Sequence, residues 1–311
     1  MTTHAPDAGL LTVLPVPGHG AEDVLVGPDG EVYTGTEDGT VWRVRDAGAR
    51  LERVGSTGGR PLGLELLPDG RLLVCDARLG LLAMDPDTGA VEELTRLVHG
   101  RRMVFCNNAA VAGDGTVFFT DSSRVYGIDR WKADVVENTC TGRLLRRDPD
   151  GSVSVVLDGL RFANGVALAA DESYVAVAET AGRTVVRRWL TGERAGETDH
   201  LAADLPGYPD NIARGSDGLV WVTVASPRDP VVEGLMRGPM PLRRAAWRLP
   251  QPLQPKPKRT ARVMAFDDAG TVVHDRSFDA SSFHMVTGVR EHDGRVWLGS
   301  LVEPAVAVFE V

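Results

Sequence analysis

An acidic turn residue returns along this chain at Asp29, Asp69, Asp114, Asp171, Asp217 and Asp293, each time closing one short apolar run and opening another. Five of the six precede Gly; Asp171 precedes Glu172. Asp-Gly between apolar runs marks a hairpin, because both residues tolerate the positive φ of a tight reversal. The spacings are 40, 45, 57, 46 and 76 residues. The shorter ones match a four-stranded propeller blade, and the two long ones require insertions. Second strands follow the turns at residues 31–34, 71–74, 116–119, 174–177, 219–222 and 295–298, and third strands often follow these, as at 40–44.

The expected fold is therefore all-β: a six-bladed β-propeller forming a single domain over residues 1–311. The last repeat offers only three strands, whereas residues 10–16 form a surplus one before the first repeat. An N-terminal strand completing the C-terminal blade would close the ring and remove an exposed sheet edge. No amphipathic helical pattern lies between the strands, which excludes an α/β reading. Insertions fall at about 123–141, with Tyr126, Trp131, Glu137 and room for a short helix, and at about 226–258. The second is rich in Pro and Arg (Pro239, Pro241, Arg243, Arg244, Pro250, Pro252, Pro255), as in a solvated rim loop or a lid over the mouth.

Composition narrows the function classes. A net charge of −9 disfavours nucleic acid or an anionic membrane as the main partner. Three cysteines make no disulfide framework and suit a reducing compartment. The start, Met1-Thr2-Thr3-His4-Ala5-Pro6-Asp7, lacks a basic then apolar leader pattern, and no run of about 18 apolar residues is present, so a cytoplasmic protein is expected.

Seven residues before each turn acid stand Glu22, Leu62, Asn107, Asn164, Asp210 and Val286. First strands of propeller blades line the channel and run the same way, so these positions face one another at one end of the axis. Any one of the four polar residues taken alone reads better as an Asx-type cap. Four in register favour a hard-oxygen metal site, for Ca²⁺ first and Mg²⁺ or Mn²⁺ as alternatives. The next positions, Asp23 and Asn211 among them, offer further ligands or supporting partners.

Distinctive stretches are Gly20-Ala21-Glu22-Asp23, Arg60-Pro61-Leu62-Gly63-Leu64, Thr120-Asp121-Ser122-Ser123, Gly142-Arg143-Leu144-Leu145, Phe162-Ala163-Asn164-Gly165, Pro209-Asp210-Asn211-Ile212 and Trp297-Leu298-Gly299-Ser300. Together they resemble the superfamily of gluconolactonase/regucalcin enzymes, paraoxonases and strictosidine synthase-like proteins. The set spans nearly the whole chain and is most similar to the strictosidine synthase-like branch. The resemblance implies a six-bladed propeller with a catalytic calcium on Glu22, Asn107, Asn164 and Asp210, joined by Asn211 as in paraoxonases. It also matches Asp23 to a second, structural calcium, where Asn108 replaces an acidic ligand. Thr287 stands where strictosidine synthase carries its catalytic Glu, and Leu62 and Ala77 replace the paraoxonase His dyad.

The expected activity is metal-dependent hydrolysis of a lactone or related ester, a small-molecule substrate whose carbonyl the cation polarises. Asp210, Asp23 and His284 are the candidate proton acceptors, in that order. A biosynthetic lyase or cyclase using the same pocket, and a non-catalytic propeller pinned by its metal, are the alternatives.

Overall fold

The computed structural model describes residues 10–249, 254 and 256–311. Met1–Asp7 and the prolines Pro250, Pro252 and Pro255 lie outside the described residues. Six four-stranded antiparallel sheets form the blades of a propeller. Their innermost strands are Leu25–Val26, Pro61–Leu66, Cys106–Val111, Ala163–Leu168, Gly207–Arg214 and Val286–His292. The ring closes as expected: Thr12–Pro15 pairs with Ala305–Glu310, with Thr12 opposite Val308 and Pro15 opposite Ala305.

The hydrophobic core is divided into slabs between blades. Successive side chains of a strand point to opposite faces, so each blade must bury both. In the second strand of blade 5, Val220, Val222 and Val224 pack with blade 4 residues such as Tyr174 and Val185. Trp221 on the same strand turns to Val289, Leu298 and Phe309 of blade 6. Corresponding slabs join the remaining neighbours around the ring, as where Tyr33 and Val41 of blade 1 meet Leu72 and Val74 of blade 2. This two-sided burial is why the strands read as apolar runs rather than strict alternation.

Pairing between first and second strands is interrupted near the channel mouth in five blades. The breaks lie between Pro61 and Leu64, Cys106 and Ala109, Ala163 and Val166, Pro209 and Ile212, and Val286 and Val289. Bulges of this kind re-aim side chains. The residues they free are Leu62-Gly63, Asn107-Asn108, Asn164-Gly165, Asp210-Asn211 and Thr287-Gly288. In blade 1, Glu22-Asp23 sits just before pairing begins at Leu25. Blade 6 corrects the sequence register by one residue: Thr287, not Val286, holds the equivalent place.

The insertion at 123–141 carries a helix, α1 (Trp131–Glu137), after a 3₁₀ turn at Ile128–Arg130. The one at 226–258 is not simply a loop: it forms α2 (Pro230–Arg237) and α3 (Met240–Arg248). Asp229 caps α2 by accepting from the Val231 and Val232 amides at 2.8 and 3.3 Å. All three helices pack together. Val135 of α1 and Met236 of α2 are buried with Leu62, Phe105 and Phe162 over the channel mouth. The insertions form a lid.

Candidate metal centre

Below the lid, an inner cavity is lined by Glu22, Asn107, Asn164 and Asp210, with Leu62, Phe105 and Phe162 among its apolar walls. The four in-register oxygen-bearing residues therefore converge, each from a different blade. Glu22, Asn107, Asn164 and Asn211 are almost wholly buried. Glu22 Oε2 and the Oδ1 atoms of Asn107, Asn164 and Asn211 have no hydrogen-bond donor among protein atoms. An unmatched buried oxygen costs roughly 1–3 kcal/mol, so four of them at one channel end call for partners the protein itself does not supply, water or a cation.

The amide nitrogens are all engaged. Asn107 Nδ2 donates to Ser122 Oγ at 2.9 Å, and that hydroxyl donates to the Ala163 carbonyl at 2.6 Å. The Ser122 oxygen can then only accept, which fixes the Asn107 amide with Oδ1 facing away. Asn164 Nδ2 donates to Thr180 Oγ1 at 3.1 Å, and Asn211 Nδ2 to Glu22 Oε1 at 3.3 Å. Sequence reasoning did not single out Ser122 and Thr180 as these orienting partners.

The electrostatics ask for positive charge. Burial pushes the Glu22 carboxyl well above its ordinary range, with Asp210 and then Asp23 adding repulsion and Arg60 opposing it. Asp210 is pushed up to about 7 by burial, against a lowering pull from the Asn164 amide. It nonetheless keeps some solvent contact, because it lines both the inner cavity and the chamber above. Hard oxygens from carboxylates and amides fit a divalent cation such as Ca²⁺. Among the described residues no trio of His, Cys, Asp or Glu is placed to hold a metal. The fit rests on the amide oxygens.

Asp23 and His284 are placed elsewhere. Asp23 Oδ2 accepts from the Leu64 amide at 3.0 Å and from Asn108 Nδ2 at 3.2 Å, while Asn108 Oδ1 accepts from the Val166 amide at 2.9 Å. The Asp23–Asn108 pair is thus a tie across blades 1 to 4, already hydrogen-bonded where a second cation would sit. His284 hydrogen-bonds Glu303 and lines a separate outer cavity. Leu62 stays apolar in the inner cavity, and the Thr287 hydroxyl donates to the Glu22 carbonyl at 2.8 Å. Among the described residues no helix is long and apolar enough to cross a membrane.

Comparison with known proteins agrees with this architecture. Residues 107–193 match the strictosidine synthase family, and residues 9–44 the strictosidine synthase-like N-terminal family. The adipocyte plasma membrane-associated protein of Salmo salar is 34% identical over 91% of this chain and 75% of its own length. Protein STRICTOSIDINE SYNTHASE-LIKE 13 of Arabidopsis thaliana is 36% identical over 69% of this chain and 55% of its own. Among solved structures, a gluconolactonase from Xanthomonas campestris superposes with a TM-score of 0.71 at 16% identity, covering 97% of this chain and 89% of that one. A calcium-binding protein, regucalcin, from Agrobacterium tumefaciens gives 0.68 at 13%, covering 100% and 96%. The structural likenesses speak to the propeller fold; the sequence relatives decide the family. This chain belongs to the strictosidine synthase-like family of six-bladed β-propellers.

Proposed function

We propose that this chain is a divalent-cation-dependent hydrolase of a lactone or related ester, with Ca²⁺ the favoured ion and Mg²⁺ or Mn²⁺ the alternatives. The observation that carries this reading is the set of four buried oxygens, on Glu22, Asn107, Asn164 and Asn211, left without donors at one end of the channel. Glu22, Asn107, Asn164 and Asp210 would hold the ion, with Asn211 beside them. A cation there supplies Lewis acidity, polarising a substrate carbonyl and stabilising the charge that develops on its oxygen. Among the described residues, Asp210 is the one carboxylate lining both the oxygen cluster and the chamber above it. That position suits it to take the proton from an attacking water. Leu62, Phe105 and Phe162 keep bulk water from the cluster.

A panel of lactones and aryl esters, assayed with each of the three cations and then with EDTA, tests the reading. Turnover that requires the cation and disappears on chelation, with circular dichroism unchanged, is the expected result. Melting on chelation with no turnover of any ester would instead make the ion a structural pin.

Stability offers a second measurement. The folded Asp210 carboxyl sits near 7, above its ordinary value of 3.8. Above that ordinary value the unfolded chain releases the proton while the fold retains it. The cation-free fold therefore loses stability as pH rises from about 4 to about 7, and levels off beyond. A cation pairing with the ionised carboxylates cancels this loss. At a hundredfold excess over Kd it contributes about 2.7 kcal/mol. The gap in melting temperature between calcium and EDTA should be at least twice as large at pH 8 as at pH 5. Equal gaps would contradict it.

A further inference from the structure

Of the 34 Lys and Arg residues in the sequence only three are lysines, Lys132, Lys256 and Lys258, and all three line the outer cavity at the mouth. This cavity has a volume of about 570 Å³ and shares walls at Trp131, Lys132, Lys256, Pro257 and Met285 with the chamber below it. That chamber is largely apolar, with Val135, Val136 and Tyr208 among its walls, and reaches the oxygen cluster at Asp210. Lysines, an apolar chamber and the candidate metal centre thus adjoin one another in that order.

The charge at the outer end is only partly neutralised by the described residues. Among the described residues, neither Lys132 nor Lys256 has a carboxylate partner, while Lys258 Nζ lies 3.4 Å from Asp229. Lys132 instead stands 5.5 Å from the Trp131 ring centre. The acids nearby are committed: Asp129 pairs with Arg78 at 2.9 Å, and Glu303 with His284. Burial and then the neighbouring Lys256 lower the Lys132 pKa, as expected of cations crowded together without a counter-charge. In a protein of net charge −9, this is a local positive field at the entrance to the site. Lysine's compact charge on a mobile stem suits an anion that enters and leaves.

We propose that the mouth is an anion-recognising vestibule, and that the preferred substrate is an ester or lactone carrying a carboxylate on an apolar body. This deepens the hydrolase reading and rests on it only for the ester or lactone; the recognition of the anion stands on the vestibule itself.

Calorimetric titration with monomethyl adipate and with its neutral counterpart dimethyl adipate tests the vestibule without turnover. EDTA is present in both, so that a carboxylate cannot report a bound cation instead. The monoester should bind about tenfold more tightly, a preference that shrinks as salt is raised. Lys256→Gln, on an exposed side chain, should remove most of the preference, and Lys132→Gln with Lys256→Gln should abolish it, with dimethyl adipate binding unchanged. Equal binding of the two compounds, binding of neither, or a preference that survives the double variant would overturn the proposal. A lysine-dependent preference accompanied by no hydrolysis of either compound, with calcium restored, would leave the vestibule standing and refute the hydrolase reading.

Discussion

Asp210→Asn should lower turnover of any accepted ester by about 10³-fold while leaving the cation-free fold as stable as before, or more so, at pH 8. The loss has two sources. The side chain can no longer accept a proton, a role worth 10²- to 10⁴-fold where general bases have been removed. One of the two carboxylates able to balance a divalent ion is also gone, so the calcium-induced gain in melting temperature should shrink. The stability change has the opposite sign because burial already disfavours the ionised Asp210, and a neutral amide of the same shape escapes that cost. Two parallel variants separate the other candidate bases. Asp23→Asn disturbs a carboxylate that accepts from Leu64 and Asn108, so stability should fall with turnover kept within about tenfold. His284→Gln should alter binding at the mouth more than kcat. A His284 variant as inactive as Asp210→Asn would move the proton acceptor to the outer cavity and refute the assignment.

The contrast among these three residues shows what the sequence could and could not reveal. Glu22, Asn107, Asn164 and Asp210 were legible because a propeller repeats one strand start six times, so a fixed offset from an Asp-Gly turn becomes a common height on the channel. The offset fails in blade 6 for a local reason. There His292 pairs directly with Arg295 around Asp293-Gly294, whereas in blade 3 the last pair before the turn is Val111 with Val117. The tighter hairpin puts the acid one residue after the last pair rather than three, which outweighs a strand one residue longer, so counting back seven lands on Val286 instead of Thr287. The lid helices had a readable cue in Asp229-Pro230, an N-cap followed by proline at the first helical position, that the surrounding Pro and Arg content masked. Ser122 and Thr180 carried no such cue. Each lies just past the second strand of its blade, beside the Asn of the first strand, a placement set by strand register within the blade rather than by residue type. The surroundings of Asp23 and His284 carried no local cue either: Asp23 finds its partners, Leu64 and Asn108, in neighbouring blades, and His284 finds Glu303 across its own.

Gly165→Ala should be the most damaging single methyl addition near the channel, costing more than the 1–3 kcal/mol usual for overpacking and leaving little folded protein in an expression trial. A Cβ at this position would lie 2.1 Å from the Ile212 amide nitrogen and 2.5 Å from the Asn211 Cα, both backbone atoms that cannot rotate away. The same relation recurs around the ring. A Cβ on Gly63 would meet the Asn108 Cα at 2.6 Å, and one on Gly288 would meet the Asp23 Cα at 2.6 Å. Blades 2, 4 and 6 therefore give up a side chain where blades 3, 5 and 1 press Asn108, Asn211 and Asp23 inward. The oxygen cluster depends on this alternation, since Asn211 could not reach Glu22 if Gly165 carried a side chain. Gly234→Ala is the control: on the exposed face of helix α2 an added Cβ meets nothing within 4 Å, and helix propensity predicts a gain of up to about 1 kcal/mol. Melting temperatures of the two variants should move in opposite directions. A Gly165→Ala protein that melts like wild type and still binds calcium would mean that the blades can separate without losing the site, and the tight approach of Asn211 would no longer explain how the ligands are held.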